Sequence, residues 1–217
     1  IMRKKIDILV DNDSWILPYA AELADELKSM GYTTKLVRKV SDLESGWVCF
    51  FLGCTQIVND DVLDKHEYNL VVHESDLPEG KGFAPMAWQI LEGKEEITFC
   101  LFEATNKVDA GRIWIKESIS LSGYELNNEW RDLQGEKTKE LCLKFVNRSD
   151  EMVPQEQEGV ATFYKRRGPK DSQLDIDKSI REQFNLLRVV DNENYPAFVL
   201  IGGKKLILSV EWEEVDK

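Results

Sequence analysis

Short apolar runs alternate with helical stripes through the first half of the chain, and this alternation limits the fold more than any other feature. Ile6 to Val10 reads as a buried strand. Asp11-Asn12-Asp13-Ser14 follows as a turn rich in helix-capping residues, and Pro18 suits the first turn of a helix. Ala20, Leu23, Ala24, Leu27 and Met30 recur at helical spacing before Gly31. Thr33 to Val37 and Trp47 to Leu52 are the next strands. Asn59 caps a short helix with Asp60 and Asp61 in its first turn, where the helix dipole favours acids. Leu70 to Val72 is a strand, Pro85 and Gly93 bracket a helix, and Ile97 to Phe102 is a further strand. Strand and helix in alternation predict an α/β fold with a doubly wound, mostly parallel sheet.

The second half is less regular. Ile113 to Ile115 reads as a strand. Leu126, Trp130, Leu133, Leu141 and Phe145 mark a long helical region in which Gly135 is a weak point or kink. The polar stretch Asn147 to Gly159 is a linker or surface loop. Residues 1–150 are expected to form the α/β domain and 151–217 a C-terminal extension. In the extension, Thr162-Phe163-Tyr164 is strand-like and Lys165-Arg166-Arg167-Gly168-Pro169 is a basic turn. Asp175 caps a helix with the stripe Ile176, Ile180, Phe184 and Leu187, and Phe198 to Val210 makes a β-hairpin around Gly202-Gly203.

A net charge of −12 argues against nucleic acid as the partner, because a polyanion needs a basic footprint. Cys49, Cys54, Cys100 and Cys142 form no Cys-x-x-Cys pair and read as reduced thiols. With only His66 and His73 in the chain, no metal site is expected. No apolar run is long enough for a membrane span, and no signal-type segment follows the basic N-terminus, so a cytoplasmic location is expected. The first turn lacks Gly-x-Gly-x-x-Gly, which weakens a dinucleotide reading.

One stretch concentrates the chemistry. His73 stands at the end of its strand, above an irregular loop set by Ser75, Pro78, Gly80 and Gly82. In open α/β sheets ligands bind at that edge. His66, in the connection from helix to strand, reads as a surface residue.

His73-Glu74-Ser75-Asp76-Leu77-Pro78, followed by Gly82, Pro85, Ala87 and Ile90, resembles the His-x-Ser-Leu-Leu-Pro…Gly…Pro…Ala-Ile signature of the folate-dependent formyltransferases. Val108-Asp109-Ala110-Gly111 resembles that family's second motif, Leu-Asp-Thr-Gly, and Thr162 to Asp177 resembles the tail of its short sugar-nucleotide members. The resemblance implies a formyltransferase Rossmann-like fold. It also implies an N-formyltransferase that moves the formyl group of 10-formyltetrahydrofolate to the amine of a nucleotide-linked amino sugar of the 4-amino-4,6-dideoxyhexose type. Relatives are often dimers, so a homodimer is expected.

By the same resemblance His73 and Asp109 are the catalytic pair. The pterin lies between the loops at 54–58 and 102–109, with Leu52, Cys54, Gln56, Ile57, Val58, Phe102, Glu103 and Val108 as cofactor-binding residues. Asn12 and Ser14 are acceptor-binding candidates through backbone N–H groups at a helix N-terminus. Ser75, Lys81, Gly82, Phe83 and Trp88 join them, Lys81 for a phosphate and an aromatic for a base.

The chemistry asks for little more. The attacking amine must lose a proton, the leaving nitrogen must gain one, and a donor should face the formyl oxygen. A His beside an Asp suits the proton work. The family's Asn two residues before the His is Val71 here, and Asn69 is too far along the strand to replace it. Glycinamide ribonucleotide formylation is the alternative among enzymes. Outside enzymes, Val71 points to a non-catalytic folate or nucleotide-sugar binding protein.

Overall fold

The alternating runs assemble into a six-stranded sheet in the computed structural model, which describes residues 4–215. In chain order the strands are β1 (Lys5–Leu9), β2 (Thr33–Val37), β3 (Gly46–Phe51), β4 (His66–His73), β5 (Lys81–Gly82), β6 (Glu96–Glu103), β7 (Ile113–Ser120), β8 (Phe163–Tyr164), β9 (Ala197–Ile201) and β10 (Lys204–Leu208). The helices are α1 (Leu17–Ser29), α2 (Asp60–Leu63), α3 (Pro85–Leu91), α4 (Asn127–Arg148) and α5 (Phe184–Val189).

The main sheet has the order β2-β1-β3-β4-β6-β7. Strands β1 to β4 are parallel, and β6 and β7 run antiparallel to their neighbours. The α/β class with a mostly parallel sheet and a closing antiparallel hairpin is therefore as expected. Central strands covered on both faces need continuous apolar sequence. Ile6, Ile8 and Leu9 of β1 and Val48, Cys49 and Phe50 of β3 are accordingly all fully buried. On α1 the buried stripe is Ala20, Leu23, Ala24 and Leu27. On α4 it is Trp130, Gln134, Thr138, Leu141 and Phe145, with two polar residues set into it.

Four expectations need correction. The residues Asp11 to Ser14 do not cap α1, whose N-cap is Ile16 with no side-chain bond. Asp11 instead accepts the Thr55 and Gln56 N–H groups, tying the loop after β1 to the loop after β3. Gly135 does not kink α4, which runs unbroken from Asn127 to Arg148. It is glycine because a Cβ there would collide with the Tyr19 ring of α1. The helix expected from Asp175 begins only at Phe184, which leaves Ile176 and Ile180 exposed in turns. Finally, His66 is not on the surface. Strand β4 begins four residues before its apolar run, and the buried His66 ring lies 3.0 Å from the buried Asp7 carboxylate.

The C-terminal segment packs on the main unit rather than hanging from it. Gln155 bridges to Ile113, β8 adds to β5, and Val189 joins the main core. Trp130 donates its indole N–H to the Arg188 carbonyl at 2.9 Å. The loops that follow β1, β3, β4 and β6 gather along one edge of the sheet, and His73 stands there.

Candidate active site

The β4 strand delivers His73 to the sheet edge, where its side chain is 8% exposed. Its Nε2 lies 2.7 Å from the Gly80 carbonyl oxygen. A carbonyl only accepts, so Nε2 carries a proton and the neutral ring keeps its lone pair on Nδ1. That nitrogen faces Asp109 Oδ2 at 4.0 Å, beyond hydrogen-bond length but within reach of a bridging proton carrier. Phe102 stacks edge-on against the imidazole at 6.5 Å between centroids.

Asp109 is held as tightly as His73. Its φ of 46° lies in the left-handed region, a conformation Asp tolerates better than most residues. Its Oδ2 accepts the Gly82 N–H at 2.8 Å, and Gln157 donates to the carbonyls of both Asp109 and Gly111 at 2.9 and 2.8 Å. Gly111 is required because a Cβ would run into the Glu103 backbone oxygen. Gly82 has a φ of 99° and passes close under the Tyr164 carbonyl. The two sequence motifs are thus joined by one backbone N–H. Gln157 sits in a stretch that reads as plain loop, and nothing in its sequence context marks it.

Around the pair opens a cleft of about 520 Å³. It takes in His73, Asp109, Asn12, Ser14, Gly82 and Phe83, together with Leu52, Cys54, Gln56, Ile57, Val58, Phe102 and Val108. Asn12 is committed in part, donating to Asp11 and to the Gly53 carbonyl at 2.7 and 2.8 Å. Burial pushes the Cys54 thiol up to about 12.

Four candidates do not line the cleft. The Ser75 hydroxyl donates to the Glu79 carbonyl at 2.7 Å. Lys81 is buried at β5, where its N–H pairs with Thr162. Trp88 stacks on Tyr164 and donates to the Lys165 carbonyl at 2.8 Å. Glu103 takes a two-pronged contact from Arg112 at 2.8 and 2.9 Å and accepts from Trp114. The Lys165-Arg166-Arg167 turn lies against the aromatics of the loop and helix after His73. Arg166 sits 4.7 Å from the Phe83 centroid, and Lys165 and Arg167 lie over Trp88.

Val71 also lines the cleft and presents no donor. Asn69 is turned away, donating to the Leu63 and His66 carbonyls at 2.7 and 3.3 Å. Sequence reasoning missed one wall. Arg131, Gln134 and Thr138 of α4 and Glu74 face the cleft beside Trp15. The polar breaks in the buried stripe of α4 were its available signal. Among the described residues, no group of His, Cys, Asp and Glu is placed to hold a metal ion, and no helix is long and apolar enough to cross a membrane.

No family model matches the chain. In sequence it is similar to the bifunctional polymyxin resistance protein ArnA of Wigglesworthia glossinidia brevipalpis, 26% identical over 174 residues, or 74% of this chain and 25% of that protein. It is similar to a Sulfurihydrogenibium methionyl-tRNA formyltransferase, 26% identical over 140 residues, or 62% and 45% of the two chains. The chain thus spans between 25% and 51% of the length of the curated relatives it matches. In fold it resembles a methionyl-tRNA formyltransferase from Clostridium thermocellum, with a TM-score of 0.77, 22% identity, and coverage of 95% and 91%. A 4-N formyltransferase from Francisella tularensis gives 0.75, 15%, and coverage of 98% and 99%. HypX from Aquifex aeolicus, in complex with tetrahydrofolic acid, gives 0.78, 14%, and coverage of 95% and 37%.

Proposed function

We propose that this relative of the formyltransferase superfamily is itself an N-formyltransferase, acting on the amine of a nucleotide-linked amino sugar of the 4-amino-4,6-dideoxyhexose type. The observation that carries the reading is the His73–Asp109 pair, two motif residues brought to 4.0 Å at the floor of one cleft. Sequence similarity to formyltransferases supports the reaction class. A near-complete overlap with a 4-N formyltransferase of similar length supports the acceptor class.

The cleft fits the formyl donor. Leu52, Ile57, Val58, Phe102 and Val108 offer apolar walls beside the loop backbones at 54–58 and 102–109, which suits a flat heteroaromatic ring. 10-Formyltetrahydrofolate, bound there, supplies a formyl carbon on a nitrogen that can leave. The protein's own work is then proton handling. The acceptor amine forms its bond to the formyl carbon, and His73 Nδ1 takes the proton that the amine must shed. The same nitrogen returns that proton to the departing nitrogen, so protons balance over one turnover. Gly80 fixes which ring nitrogen is available, and the Asp109 carboxylate stabilises the imidazolium while it lasts. Val71, which lines the cleft where the family motif has Asn, gives the formyl oxygen no side-chain donor.

Formyl transfer assayed against nucleotide-linked 4-amino sugars and glycinamide ribonucleotide tests the reading. Turnover with an amino sugar, lost in His73→Asn, is the expected result. Turnover with glycinamide ribonucleotide alone would move the acceptor. Val71 favours one second reading, a binding protein without turnover, and calorimetry showing folate and nucleotide binding with no transfer would establish it.

A further inference from the structure

The wall made by α4 is not explained by proton transfer. Arg131 lies between two indoles, its guanidinium carbon 4.6 Å from the Trp15 centroid and 4.4 Å from that of Trp130. One Nη1–H donates to Gln134 Oε1 at 2.8 Å, and the other four donors of the fork have no protein acceptor among the described residues. Arg131 forms no ion pair among the described residues, although the chain carries 40 acidic residues against 28 basic ones. Burial pushes its guanidinium down to about 10 against the opposing pull of Glu74 and Asp191. A partly buried guanidinium on a cleft wall with no carboxylate in direct contact is costly, and a ligand anion offsets that cost.

Gln134 carries the arrangement onward. Its Nε2 donates to Glu74 Oε1 at 2.7 Å, so its amide is oriented by a cation on one side and an anion on the other. Glu74 directly follows His73 and also faces the cleft. The wall is therefore a fixed dipole, positive at Arg131 and negative at Glu74, ending one residue from the reactive imidazole. Its members come from α4, the loop after β1 and the end of β4, and none comes from the loops at 54–58 or 102–109.

We propose that Arg131 binds an oxyanion of the acceptor, phosphate or carboxylate, through the open side of its fork, while Glu74 receives a hydroxyl or the ammonium of the same ligand. Trp15 and Trp130 pack against the guanidinium, and Gln134 accepts one of its N–H groups. This assignment of the wall to the acceptor rests on the formyl-transfer reading above. The oxyanion site itself does not.

The test compares the wild-type protein with Arg131→Gln and Arg131→Lys. Tryptophan fluorescence is titrated with inorganic pyrophosphate and, separately, with acetate at constant ionic strength, since Trp15 and Trp130 report on the site. Saturable quenching in the wild type, weakened about 10- to 100-fold in Arg131→Gln and less in Arg131→Lys, is expected from a charge-assisted contact. Pyrophosphate alone giving the response identifies a phosphate, and acetate alone a carboxylate. In the transfer assay Arg131→Gln should raise KM for the acceptor by a similar factor, change kcat by less than about threefold, and leave tetrahydrofolate affinity by calorimetry unchanged. No quenching of the wild type by either anion, equal binding by all three proteins, or a loss confined to tetrahydrofolate would overturn the proposal. If no acceptor is turned over yet anion binding is lost with Arg131, the transferase reading falls and the oxyanion site stands.

Discussion

Strand β4 carries one histidine at each end, and each faces an aspartate. At one end His66 Nε2 meets Asp7 Oδ2 at 3.0 Å, with both side chains sealed from solvent and Lys5 a further 3.5 Å from the same oxygen. At the other end His73 Nδ1 stands 4.0 Å from Asp109, in an open cleft, with its second nitrogen already committed to Gly80. The closed pair leaves His66 Nδ1 and Asp7 Oδ1 without partners, and Gly46 must lack a side chain to admit the ring. In the open pair His73 Nδ1 also has no hydrogen-bond partner among the described residues, but it faces a gap where a reacting group fits. Residue type is the same in both. Direct contact and burial make one a structural tie, while spacing and access make the other a candidate for chemistry.

Substitutions that separate the two ends sharpen this contrast. The largest effect is expected at Asp109. Asp109→Asn keeps the shape and the Gly82 contact site but removes the charge facing His73, and formyl transfer should fall about 10²- to 10⁴-fold with little change in the urea midpoint. At the closed end the loss appears in stability instead. Asp7→Ala leaves a buried imidazole alone, and chemical denaturation should show about 3–5 kcal/mol of destabilisation with folate affinity by calorimetry kept in the folded protein. An equal loss of stability from both variants would erase the distinction.

Smaller changes refine the open end. Val71→Asn restores a side-chain donor on the cleft wall. Since one such donor is worth about 10²- to 10³-fold in other enzymes, a rate gain of at least about tenfold is expected, and an unchanged or lower rate would show that the formyl oxygen does not lack a donor. Gln157→Ala frees the Asp109 and Gly111 carbonyls and should slow transfer by about tenfold while costing about 1–2 kcal/mol. The smallest effect belongs to Cys54. With its thiol pushed up to about 12 by burial, almost no thiolate exists at pH 8, so alkylation followed by mass spectrometry should be slow there and faster at higher pH.

Much of this was legible in the chain itself. Apolar runs read as β1, β3 and β6 because central strands are covered on both faces and tolerate few polar residues, whereas β2 lies at the sheet edge with only Val37 buried. The two motifs holding His73 and Asp109 were visible because Gly82 and Gly111 are demanded by close backbone approach, and such glycines leave a mark. His66 was misread because the start of β4, His-Glu-Tyr-Asn, is polar, and its burial depends on Asp7 of a strand distant in sequence. The α4 wall stayed hidden for the same reason. Gln134 and Thr138 look like interruptions of a stripe until Arg131 and Glu74 are placed beside them. Gly135 looks like a helix breaker until the Tyr19 ring is laid against it. Pairings across long sequence separations are set by tertiary packing, and local pattern does not carry them.

The most direct measurement is kcat/KM for formyl transfer by His73→Asn beside the wild-type protein, with the unfolding free energy of both measured in parallel. A fall of about 10²-fold or more, with stability kept to within about 1–2 kcal/mol, is the expected result. Wild-type transfer by His73→Asn would contradict the assignment of proton handling to this histidine.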